Sequence, residues 1–185
     1  MRDLSPSDLK IEQRRVMRGA VFAALVVALV YACSFFLAAP RVVFPDAVAD
    51  RIAFALQANI LVVVVLVVAV QRVSSGRYRS AEDNRGSAFG KPSEKIAIDI
   101  AFLQNTLEQC VIAWSVNLAL AATVSGDMLV FVPCACVLFV VGRIAFRFGY
   151  PHGAGARAFG MAVTALPSLV GAATVVWIGI SNWLT

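Results

Sequence analysis

The stretch Leu103-Gln104-Asn105-Thr106-Leu107-Glu108-Gln109-Cys110 stands at the mouth of an apolar run that continues through Val124. An acid and three amides at the entrance to a hydrophobic span are expensive there, and they mark a site by default. At about 100° per residue, Ala101, Asn105, Glu108 and Ile112 share one helical stripe, with Asn105 and Glu108 about 60° apart. One face therefore offers an amide and a carboxylate side by side near a membrane boundary. The competing reading is structural: Glu108 pairs with an arginine and ties helices together.

The rest of the chain supplies the membrane. Of 185 residues, 60% are hydrophobic and only 15% charged, and mean hydropathy is +0.81. That is too apolar for a soluble domain, so an integral membrane protein is expected. The formal charge of +5 is concentrated between the apolar runs. Basic residues do not interleave with aromatics, which sets nucleic acid aside as a partner. Cys33, Cys110, Cys134 and Cys136 all lie inside apolar runs. The spacing of Cys134 and Cys136 is no metal spacing, so the four read as packing and no metal is expected.

In chain order, residues 1–18 are polar and basic, followed by an apolar run over 19–39. That run is longer than a signal-peptide core and lacks a small-x-small cleavage site, because Leu37 precedes Ala38-Ala39. A retained helix is expected, with removal as a signal the alternative. Pro40, Pro45 and Asp46 break the chain before a second run over 52–70. Residues 71–95, rich in Arg, Ser and Gly, read as a flexible aqueous loop. A third helix is expected over 93–124, roughly 48 Å long. A fourth over 128–146 carries Pro133 in its first turns, where proline costs least. Residues 143–157 return the chain to the near face, and a last helix follows over 158–183, with a kink expected at Pro167.

Five spans fix an orientation. With the N-terminus in the cytoplasm, every Lys and Arg except Arg41 and Arg51 falls on the inner side. The Asn105–Glu108 patch and the Arg143–Arg157 segment then meet at one membrane depth. Bland readings remain for each residue of that segment. Arg143 and Arg147 can snorkel to lipid phosphates, Tyr150 can anchor the interface, and His152 can sit exposed in a glycine-rich turn.

The pair LQNTLEQ (103–109) and GRIAFRFGYPHGAGARAFG (142–160) resembles the MAPEG family, the membrane-associated proteins of eicosanoid and glutathione metabolism. The resemblance implies an all-α, four-helix transmembrane bundle over 52–185, assembled as a homotrimer. Residues 1–51 add a tail, an extra transmembrane helix and an outer loop to the usual pattern. A bacterial-type member in the inner membrane is implied, with glutathione as co-substrate between subunits near the cytoplasmic face. Carried over residue by residue, Asn105 and Glu108 bind glutathione and Tyr150 contacts it. Arg157 resembles the arginine that stabilises the thiolate and is the candidate catalytic residue. Arg143 and Arg147 are candidate ligands for the same molecule.

This chain departs at three positions from the catalytic pattern that the resemblance implies. An arginine one turn before the asparagine is Ala101, the aromatic after the glutamate is Gln109, and a tyrosine four residues before Tyr150 is Phe146. Losing a buried carboxylate-binding arginine costs about 2–5 kcal/mol. Three readings stay open. One is a glutathione transferase or peroxidase acting on lipophilic electrophiles or hydroperoxides. Another is a non-catalytic member of the fold that binds a lipid or partner protein. The last is an unrelated small transporter or a subunit of a larger complex; transport needs a polar path, and the far halves offer mainly Asn117 and Thr123.

Overall fold

Backbone that enters a bilayer must pair within its own segment, and for an open-ended chain the helix is the solution. A computed structural model describes residues 5–184 as five long helices. They are α1 (Pro6–Cys33), α2 (Val48–Tyr78), α3 (Glu94–Thr123), α4 (Phe131–Gly149) and α5 (Ala154–Leu184). All five are long and apolar enough to cross a membrane, and the protein is integral to one. Successive spans place the start of α1, the end of α2, the start of α3, the end of α4 and the start of α5 at one charged end.

Three expectations change at that end. First, α1 starts at Pro6, well inside the stretch read as a polar tail, of which residues 1–4 lie outside the described residues. Ser5 caps it by accepting from the Asp8 N–H at 3.2 Å, Pro6 opens the first turn, and Asp8 faces the positive helix end. These local signals outweigh the polarity of the segment. Second, α2 runs two turns beyond Val70, and the remaining loop is not loose. Asp83 accepts from the Ser93 N–H at 2.8 Å, the Ser93 hydroxyl at 2.7 Å and the Ser80 hydroxyl at 2.8 Å. These donors, the Ser93 N–H foremost, hold its carboxyl below the usual value. Third, the turn between α4 and α5 is only Tyr150–His152 plus Gly153, whose φ of 98° suits glycine. So α5 begins four residues earlier than the sequence suggests, and Pro167 lies inside that one helix.

Between helices in lipid, small residues let backbones approach and polar side chains pair across the gap. The fit between α4 and α5 shows the first device. A Cβ on Gly160 would come within 2.6 Å of the Gly142 carbonyl oxygen and 2.7 Å of the Phe146 Cα. The pair Asn59 and Asn117 shows the second: the Asn117 amide donates to Asn59 at 3.0 Å and to the Cys136 sulfur at 3.4 Å. The Asn59 Oδ1 is paired in this way inside the far half of the bundle, while the Asn59 Nδ2 is buried there with no hydrogen-bond partner among the described residues. At the far end, the Arg51 guanidinium donates to the Ala122 carbonyl at 3.3 Å, a cation on the negative end of α3.

Helix α4 is the most enclosed span, surrounded by α2, α3 and α5. Helix α1 lies outside this group, along α5. Gly19 and Ala23 form its small-residue stripe, with a Cβ on Gly19 only 3.2 Å from that of Ala158. Val27, Leu138 and Val163 continue the seam.

Candidate functional site

The charged end holds a recess of about 370 Å³. Helix α3 contributes Ala101 and Asn105, α4 contributes Phe146, and the following turn contributes Tyr150. Helix α5 adds Ala154, Arg157, Ala158 and Met161, and α1 adds Val16. The Arg157 guanidinium lies 4.6 Å from the centre of the Tyr150 ring, a cation over an aromatic face. Tyr150 in turn meets Phe146 edge to face at 5.5 Å. Both Arg157 and Tyr150 are half-buried, so each keeps part of its surface for a ligand. A half-desolvated guanidinium that keeps its charge favours an adjacent anion.

Arg143 does not snorkel. It is 1% exposed, the largest fully buried side chain described. Its Nη1 donates to the Asn105 Oδ1 at 2.8 Å, and its guanidinium carbon lies 4.1 Å from the Phe146 ring centre and 5.9 Å from that of Phe102. Its Nε and Nη2 have no hydrogen-bond partner, and no ion pair to it occurs among the described residues. Burying a guanidinium without a carboxylate costs several kcal/mol, on the order of the largest single contributions to stability. Asn105 and Phe146 both touch Arg143 and both line the recess, so the cation sits directly behind its wall.

The other candidates divide. Arg147 is half-buried and bound to Asp99, with Nη2 at 2.7 Å and Nε at 3.1 Å from the same carboxylate oxygen. Arg72 reaches that oxygen from α2 at 3.2 Å. Asp99 was not singled out from the sequence, although an acid in the first turns of α3 amid basic segments was a usable signal. Glu108 is exposed on the outer face of α3, where it accepts from Gln104 at 3.0 Å. The 60° between Asn105 and Glu108 is enough for the bundle to take one residue inward and leave the other outside. His152 is exposed, with Nδ1 3.1 Å from the Phe148 carbonyl oxygen. A larger groove of about 590 Å³ runs between α2 and α3 past Arg72, Arg79 and Lys95. Arg72 there already meets Asp99, and neither Arg157 nor Tyr150 lines this groove.

Compared with known proteins, the chain matches the family model of the MAPEG family over residues 52–177. No match was found among curated proteins or among solved structures.

Proposed function

The chain belongs to the MAPEG family through residues 52–177, and from that premise we propose that it is a glutathione-dependent membrane enzyme, a transferase or peroxidase whose substrates dissolve in the bilayer. The observation that carries this reading is Arg143, a buried cation with two unpartnered nitrogens behind the wall of the recess. A ligand carboxylate supplies the anion that the chain itself withholds. Glutathione brings two carboxylates, an ammonium, peptide amides and a thiol. Asn105 offers its amide, Arg143 its two unpartnered nitrogens and Tyr150 a hydroxyl at the recess edge, whereas Arg147 is engaged by Asp99 outside the recess lining. Glu108 serves the ammonium from the outward face of α3, which requires a neighbouring copy to enclose it. An ionisable side chain exposed at this depth supports a homotrimer for the same reason.

The chemistry follows from the thiol. A free thiol titrates near about 8.5, so little of it is thiolate at neutral pH, and the thiolate is the nucleophile. Arg157 stabilises that anion while keeping its own proton. In conjugation the sulfur attacks an electrophilic carbon and a C–S bond forms. The thiol proton ends on the product or departs with the leaving group. With a hydroperoxide, the sulfur takes the terminal oxygen and the O–O bond breaks, releasing an alcohol. A second glutathione thiol then resolves the sulfenic acid to a disulfide and water. The distribution of Lys and Arg favours a cytoplasmic N-terminus, with the recess on the cytoplasmic side.

A second reading has its own observation. Ala101 and Phe146 line the recess, at positions where the family resemblance leads one to expect arginine and tyrosine. A non-catalytic member that holds a lipid or partner protein fits that loss. Calorimetric titration of glutathione into the detergent-purified protein separates the two readings. Saturable binding, weakened by Glu108→Gln and Arg143→Met and followed by turnover that Arg157→Ala removes, supports the enzyme. No heat at millimolar glutathione, with a lipid recovered by extraction, leaves the non-catalytic reading.

A further inference from the structure

Helix α1 lies outside the family-matched residues, yet it reaches the recess. Along one stripe, Glu12, Val16, Gly19 and Ala23 face α5 at helical spacing. Gly19 approaches Ala158, the residue after Arg157. Val16 lines the recess itself. One turn earlier, the Glu12 Oε1 accepts from the Gly155 N–H at 2.6 Å, two residues before Arg157. A Cβ on Gly155 would come 2.6 Å from the Arg15 Cβ, so the two helices touch at that turn.

Each contact has a physical reason. The first N–H groups of a helix lack internal partners and carry its positive end, so a carboxylate there is favoured. Glu12 fills that role from within the chain, and a bound anion is therefore directed to the arginines and not to the α5 N-terminus. Val16 has no polar atom to contribute. Beside Ala158 and Met161 it contributes only shape, on the side of the recess where α1 itself faces lipid along most of its length.

We propose that α1 is the outer wall of the recess, with Val16 setting which bilayer-dissolved molecules fit and Glu12 positioning that wall against the turn of α5 that carries Arg157. The assignment of the occupant as the lipophilic second substrate rests on the enzyme reading; the wall itself does not. A change of one methylene in an apolar pocket shifts selectivity by about tenfold or more.

The test uses the full chain in liposomes with Met161→Cys as a reporter on the recess lining. The probe is N-cyclohexylmaleimide, whose alkene carbon forms the C–S bond while the neighbouring carbon takes the proton. Labelling of the peptide containing residue 161 is followed by mass spectrometry, which separates it from the native cysteines. Adding Val16→Ala raises the rate about tenfold and Val16→Trp lowers it about tenfold, whereas Met17→Trp, on the exposed face, leaves it unchanged. Glu12→Ala shifts the rate in the direction of Val16→Ala, and Glu12→Gln, which keeps an acceptor oxygen, restores it. Val16→Leu replaces the tryptophan variant if that one fails to insert. A labelling rate indifferent to residue 16 overturns the proposal even if glutathione binds. Rates that follow residue 16 in a protein that ignores glutathione keep the wall and sink the enzyme reading instead.

Discussion

Arg143 has one acceptor, Asn105, and two nitrogens with none. Replacing a buried charge by an apolar chain of similar volume is often neutral or stabilising. Arg143→Met is therefore expected to leave the thermal unfolding midpoint in detergent unchanged or raised. Its glutathione affinity falls at least about tenfold, a loss of roughly 1.4 kcal/mol. Asn105→Leu does the opposite to stability, because it strips the cation of its acceptor. A cost of about 1.5–3 kcal/mol is expected for a hydrogen bond to a charged group, read as a lower midpoint. A midpoint that drops more for Arg143→Met than for Asn105→Leu would make the arginine a structural strut. Asn105 was legible in the sequence because an amide at a membrane mouth is costly anywhere. The inward turn of Arg143 was not, since an arginine near a helix end reads alike whether it snorkels or is buried.

Helices α4 and α5 meet through glycine, and the loop between α2 and α3 is held by one carboxylate. Gly160→Ala forces a methyl against the Gly142 carbonyl and the Phe146 backbone, both rigid. A destabilisation of about 1–3 kcal/mol is expected, as for overpacked interiors, and thermal unfolding in detergent measures it. A midpoint unchanged from the parent would mean that the two helices separate without cost. Asp83 makes a pH-dependent claim. Its folded carboxyl titrates below its unfolded value, so its contribution is complete above about 3.9 and fades as pH falls through the folded value. The loop is therefore expected to resist trypsin at neutral pH, whereas Asp83→Asn is cut by trypsin after Arg85, which Gly86 follows. Equal tryptic rates in parent and variant would deny the clasp. Composition alone reads this stretch as loose, because serine and glycine mark both flexible loops and tight turns. Only the partner of each hydroxyl tells them apart.

At the scale of the whole molecule, one copy leaves Glu108 on an outer surface at membrane depth. Native mass spectrometry from detergent is expected to give three copies, with Glu108→Gln keeping that mass while weakening glutathione binding. A single copy would leave Glu108 without the neighbour its assigned role requires. The sequence by itself determined the number of spans, their helical nature and the gathering of both polar motifs at one end. Those properties follow from hydropathy, the closed hydrogen bonding that lipid imposes and the counting of residues per turn, all of which are local. The tertiary structure alone decided that Asn105 turns inward and Glu108 outward, that Arg143 is buried while Arg147 is bound to Asp99, and that α1 reaches the recess. Each depends on how helices distant in sequence rotate and approach, which small residues such as Gly142, Gly160 and Gly19 permit but do not encode one helix at a time.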